Sequence, residues 1–242
     1  MLETDTTGLT TESLALQAYR HFRRALMSGQ YTPGQKIKLK DVADELGISP
    51  TPVREALGRL VSEQVLSQID RRSVRVPILR AGAYKEIRDL RFMLEGEAAA
   101  RAAVIATPDQ IEGLSAIHDR LCDARDADDT LRMIMENVRF HQTLCRLSDM
   151  PILSRVVENL WLKCGPMMNA FVDFPPPAPR RRHPHLDVLR GLRNRDPALA
   201  KASIQDDIST SSEPILRYLL VRFGEIDEAE SGIDRSAGRA AG

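Results

Sequence analysis

Aromatic side chains are scarce in this chain of 242 residues: they make up 5%, and Trp161 is the single tryptophan. A core must therefore come from aliphatic residues, and with 43% hydrophobic residues there are enough to build one, with a lean towards helices. Excess charge of one sign is also missing, because 34 Lys and Arg balance 34 Asp and Glu. The whole molecule thus exerts no long-range pull on nucleic acid. Cysteine is limited to Cys122, Cys145 and Cys164, odd in number and without a Cys-x-x-Cys pair. That argues against a disulfide framework and for a reducing compartment. No apolar run approaches the roughly 18 residues of a membrane helix, and the acidic opening Met1-Leu2-Glu3-Thr4-Asp5 has no apolar stretch of a signal peptide. A soluble, cytoplasmic protein with no membrane partner is expected. A Walker loop, a nucleophile elbow and a dinucleotide fingerprint are all absent.

The neutral total hides an asymmetry. Residues 20–75 carry 11 Lys and Arg against 6 Asp and Glu, whereas residues 225–242 carry 5 acids and 2 Arg. Phosphates would feel the local excess. Within the basic stretch, apolar spacing predicts a helix over 11–29, a second over 39–46 stopped by Gly47, and a third starting near Ser49 or Thr51 with Pro52 in its first turn. Val53, Ala56, Leu57, Leu60 and Val61 form the stripe of the third. Two short strands, 65–69 and 74–76, then flank the polar turn Asp70-Arg71-Arg72-Ser73. Three helices and a two-stranded wing make a winged helix-turn-helix, whose last helix meets base edges in the major groove. Arg54 suits a guanine edge; Arg71 and Arg72 suit phosphates or the minor groove. On spacing alone, a solvated charged face and a soluble basic turn account for these residues more readily than DNA binding does.

The literal string Ser49-Pro50-Thr51-Pro52-Val53-Arg54-Glu55-Ala56-Leu57, preceded by Pro33-Gly34 and by Val42-Ala43-Asp44-Glu45-Leu46-Gly47, resembles the GntR family of bacterial transcription regulators over residues 14–76. The resemblance implies DNA contacts at Ser49, Thr51 and Arg54 and a weaker one at Lys40. Pro50 replaces an Arg that reads a base in the family, and Ser73 replaces a wing glycine. A different operator preference is therefore expected.

Beyond Gly82 the strand signals vanish. Helices are expected over 83–106, 108–126, 129–148, 151–172, 179–195 and 197–223, with restarts at Thr107-Pro108 and Asp196-Pro197 and a loop over 174–179. The organisation expected is mainly α: a DNA-binding domain over 1–78, an all-helical bundle over 79–224 and a disordered tail over 225–242. Arg88-Asp89-Leu90-Arg91, Leu94-Glu95, Phe140-His141 and His185 with Val188-Leu189 resemble the FCD effector domain of the FadR subgroup, in its six-helix, VanR-like form. That likeness implies a small organic acid as effector, with Arg91, His141 and His185 in its site.

Arg91 borders an apolar stripe, so it needs an anion. Glu95, four residues on, is one candidate, and an effector carboxylate is the other. The resembled domain binds a divalent metal through an Asp and three His, and the matching positions here are Asn137, His141, His185 and Asp207. Replacing Asp by Asn137 removes a charge and replacing His by Asp207 restores one. Zinc, nickel, manganese or iron would suit the set; a merely polar pocket of hydrogen-bonded histidines is the other reading. His118 and His183 have no partner at useful spacing and read as structural or surface residues. An enzyme using His141, His185 and Asp207 as a facial iron set is the alternative function, although such sets usually stand on β scaffolds. One short recognition helix reads few base pairs, so a homodimer on a pseudo-palindromic operator is expected.

Overall fold

Local signals start and stop most elements in the computed structural model, which describes residues 13–169 and 183–223. Helix α1 (Leu14–Met27) is capped by the Ser13 side chain, which accepts the Leu16 N–H, and it buries Ala18, Phe22, Ala25 and Leu26. Helix α2 (Leu39–Leu46) stops at Gly47, whose φ of 65° is left-handed and strain-free for glycine. The Ile48 N–H then returns to the Ala43 carbonyl at 3.1 Å, closing the helix end. Helix α3 (Pro50–Ser62) follows, burying Val53, Ala56, Leu57 and Leu60, with Val61 half-buried at the edge. Ser49 occupies its N-cap, yet its side chain makes no cap bond. A cap oxygen accepts the second or third N–H of a helix, and Pro52 removes the third, leaving Thr51 as the one N–H a Ser49 cap could use.

The wing has one strand more than expected. Strands β1 (Lys36–Lys38), β2 (Ser67–Asp70) and β3 (Ser73–Arg75) form an antiparallel sheet in the order β1-β3-β2. Ile37 lies opposite Val74, and both are buried. Lys-Ile-Lys is too short to announce a strand by alternation; β3 supplies the pairing partner that makes it one.

Among the described residues six α-helices follow: α4 (Ala81–Ile105), α5 (Pro108–Asp126), α6 (Thr130–Leu147), α7 (Pro151–Cys164), α8 (Pro184–Arg193) and α9 (Pro197–Arg222). Thr107 and Gln110 exchange hydrogen bonds in a capping box, and Asp196 accepts the Leu199 N–H at 2.9 Å, so both expected restarts rest on real caps. The helix expected over 151–172 instead stops at Cys164 and tightens into a 3-10 turn, Gly165–Asn169. Pro166 ends it by lacking an N–H, and Gly165 lies so near α1 that a Cβ would sit 2.7 Å from the Met27 Cα. The expected loop over 174–179 and tail over 225–242 lie outside the described residues, as does the expected start of α8 at 179.

One apolar core runs continuously from Phe22, Leu26 and Leu57 to Tyr84, Trp161 and Ile215. A second gathers Phe140, Leu144, Leu189 and Ile204 between α4, α6, α8 and α9. The polar cluster described next lies where these two cores meet.

Candidate DNA interface and candidate metal centre

Lys40, Ser49, Thr51, Arg54, Arg71 and Arg72 are all exposed. Arg54 of α3 and both wing arginines line one open cleft of about 580 Å³, together with Gln68 and Asp70. The wing tip is ordered by Asp70: its carboxylate accepts the Ser73 hydroxyl and the Arg72 N–H, each at 2.7 Å. The Ser73 hydroxyl, then the Arg72 N–H, hold the Asp70 carboxyl below its ordinary pKa. Ser73 is itself buried. The residue that departs from the family's wing glycine thus builds the turn that carries Arg71 and Arg72.

The second site is built from four helices. Arg91 and Glu95 face inward from α4, His141 from α6, His185 from α8 and Asp207 from α9, and none is more than 5% exposed. Arg91 Nε donates to Glu95 Oε1 at 2.7 Å, and the guanidinium lies 3.6 Å from the centre of the Trp161 ring. Of its two candidate anions, Arg91 has taken the one four residues away. Glu95 is fully buried and occupies Nε, so Arg91 is already paired within the chain.

Glu95 Oε2 lies 2.5 Å from His141 Nδ1, and Asp207 Oδ2 lies 3.0 Å from His141 Nε2. A ring donating to a carboxylate on each side is an imidazolium. Burial opposes that charge, but Glu95 and Asp207 outweigh it and push the His141 pKa up to about 8. Burial likewise acts against Asp207, and the His141 imidazolium bonded to it holds the carboxyl well below the usual range.

His185 differs from His141. It stacks on Phe140 with ring centres 3.6 Å apart and planes 6° from parallel. Burial pushes its pKa down to about 3, leaving a neutral ring. Its Nε2 stands 3.7 Å from Asp207 Oδ2, and neither ring nitrogen has a hydrogen-bond partner among the described residues. A buried polar group without a partner costs about 1–3 kcal/mol. His141, His185 and Asp207 each bring a donor atom within 4.8 Å of the other two, a cluster that could hold a metal ion. Its chemistry fits a divalent ion: two imidazoles, one carboxylate, and Glu95 behind His141 to orient the ring. Asn137 is half-buried, one helical turn before His141.

Residues 14–76 match the family described as bacterial regulatory proteins, gntR family, and residues 86–210 match the FCD domain. The chain belongs to the GntR family, with an FCD domain. HTH-type transcriptional regulator McbR of Escherichia coli K12 is 34% identical over 187 residues, 76% of this chain and 84% of that protein. The solved structure of E. coli McbR/YncC superposes with a TM-score of 0.82 at 30% identity, covering 86% of this chain and 99% of that one. HTH-type transcriptional repressor RspR, also from E. coli K12, is 25% identical over 207 residues, 85% of this chain and 90% of that protein. The relatives are named as transcriptional regulators, and this GntR-family chain is one too. The enzyme reading of His141, His185 and Asp207 is not favoured. Among the described residues of this GntR-family chain, no helix is long and apolar enough to cross a membrane.

Two histidines set aside on sequence grounds need correcting. His118 of α5 is buried with its Nδ1 unpartnered among the described residues, and His183 at the start of α8 lies beside it, ring centres 5.2 Å apart. Both gather with His185 into a second three-nitrogen cluster. Burial lowers both their pKa values, and each ring is neutral at neutral pH. The pair His183-Pro184-His185 was the one signal in the sequence; His118, 65 positions earlier by number, gave none.

Proposed function

We propose that this regulator binds a pseudo-palindromic operator as a homodimer, and that a small carboxylate held in the helical domain controls that binding. The working division is residues 1–78 for DNA and 79–224 for sensing and dimerisation. Arg54 reads a base edge, Ser49, Thr51 and Lys40 support it, and Arg71 and Arg72 meet phosphates or the minor groove.

The observation that carries the sensing half is His185: a fully buried neutral imidazole, facing Asp207 and His141, whose nitrogens have no hydrogen-bond partner among the described residues. These three residues would hold a zinc, nickel or manganese ion, with Asn137 nearby as a further oxygen. Such an ion would supply open coordination positions for a carboxylate. Without it, the imidazolium of His141 balances Asp207. Arg91 acts at one remove, by fixing Glu95 and so the His141 ring. Cytoplasmic residence accords with the three free cysteines.

Helix α7 supports a route from this cluster to the DNA-binding helices. Trp161 touches Arg91 and lies 5.2 Å, centre to centre, from the His141 ring. On the same helix Glu158 pairs with Arg23 of α1 at 2.8 Å, and the Asn159 side chain donates to the Glu63 carbonyl just after α3 at 3.2 Å.

The test uses tag-free protein, either zinc-loaded or stripped with chelator, and DNA from upstream of its own gene. A panel of small organic acids is screened by thermal shift, because a ligand of the native state raises Tm by mass action. At least one acid should stabilise the zinc-loaded form alone and change operator affinity in fluorescence anisotropy. If no acid shifts either form, or the protein ignores the DNA, the reading fails.

A further inference from the structure

His118, His183 and His185 come from two elements that only packing unites, and their ring centres are 4.3–5.5 Å apart. Each offers a nitrogen within 4.8 Å of the other two. His118 and His185 are 3% and 0% exposed, and His118 Nδ1 and both nitrogens of His185 lack partners among the described residues. Among the described residues no protein donor or acceptor accounts for these three atoms. His183 is half-buried and gives the group an edge towards solvent.

We propose that His118, His183 and His185 form a second transition-metal site, distinct from His141–His185–Asp207 and sharing His185 with it. An all-imidazole set selects borderline ions such as zinc(II), copper(II) or nickel(II) over magnesium and manganese, which prefer oxygen. The surroundings fit ligation. His118 Nε2 lies 3.6 Å from Cys122 Sγ, and in the tautomer whose Nε2–H donates to that sulfur the Nδ1 lone pair is free to ligate. His183 Nδ1 accepts the His185 N–H at 3.2 Å, a long bond that an ion at this ring displaces either directly or by tautomer exchange.

The shared ring couples the two sites. A neutral imidazole has one nitrogen lone pair, so His185 serves one ion at a time while it keeps its remaining proton. The two sets are then alternative seats for one ion, one with a carboxylate and one without. Which seat is filled decides whether Asp207 remains paired with His141.

Cobalt(II) chloride titrated into chelator-stripped, tag-free full-length protein tests this, with visible absorption and calorimetry giving coordination and stoichiometry. Wild type should take one ion per chain. His141→Ala should still take one, with a spectrum shifted by the loss of carboxylate, and His141→Ala with His183→Ala should lose affinity at least tenfold. His183 is half-buried, so its loss leaves the fold intact; circular dichroism checks this. If His141→Ala alone abolishes binding, or His183→Ala changes nothing in the His141→Ala background, the second site is refuted. Failure of the first site reads differently: His141→Ala then leaves wild-type affinity and spectrum unchanged while His183→Ala alone removes the ion.

Discussion

Glu95 and His141, 46 residues apart in the chain and both buried, are joined by a contact of 2.5 Å between carboxylate and ring nitrogen. The same carboxylate binds Arg91 through its other oxygen. One buried acid thus ties the first helix of the FCD domain to the histidine of the candidate metal centre.

That arrangement predicts a large effect of Arg91 on stability. Arg91→Met leaves Glu95 charged and short of its main partner, and breaking a buried pair costs about 3–5 kcal/mol. Arg91→Met combined with Glu95→Gln should recover most of the loss, because neither group is then an isolated charge. Urea denaturation of the three variants measures this. A loss below about 1 kcal/mol for Arg91→Met would show that water or another group already balances Glu95.

Arg54 and Arg72 line the same cleft, yet their losses should differ in kind. Arg54→Ala should cost about 1–3 kcal/mol on the best operator and relax the preference at one position of each half-site. Arg72→Ala should weaken all sequences alike and flatten the salt dependence. Fluorescence anisotropy on a set of singly mutated operators at several salt concentrations separates them. Equal, sequence-independent losses would remove Arg54 from base reading.

Asp70 offers a test in which two effects have opposite sign. By charge alone, Asp70→Ala should strengthen binding to phosphates, since it removes an anion from the wing. By structure it should weaken binding, since the carboxylate holds the Ser73 hydroxyl and the Arg72 N–H. The turn geometry is expected to win, with operator affinity several-fold lower and Ser73→Ala acting in the same direction. Tighter binding by Asp70→Ala would mean that the wing tip needs no such support.

Gly165 stands where the 3-10 turn meets α1. An added methyl group must push against the Met27 backbone, and overpacking of this kind costs about 1–3 kcal/mol. Gly165→Ala should leave metal uptake intact but reduce the effect of a bound acid on operator affinity, since it separates α7 from α1. Parallel calorimetry and anisotropy decide this; full coupling in the variant would rule out this junction as the route.

The DNA-reading half was legible because its signals are local. A first-turn proline, a left-handed Gly47 and a stripe of Val53, Ala56, Leu57 and Leu60 act within one or two helical turns, and the string around Arg54 lies within a single element. Helix restarts at Thr107 and Asp196 were legible for the same reason. β1 was not, since three residues become a strand only when β3 comes alongside from more than thirty positions away. The helical half divides in the same way. Helical spacing put Arg91 within reach of Glu95, but it left open whether Glu95 or a ligand takes the guanidinium. Only packing showed Glu95 on the guanidinium Nε, buried between Arg91 and His141. His118 joins His183 and His185 through the rotation of α5 against α8, a quantity set by side chains across the whole interface. The sequence by itself determined the elements and the residue types they carry; the tertiary structure decided which of those side chains share a site, because that depends on helix rotation and register rather than on spacing along the chain.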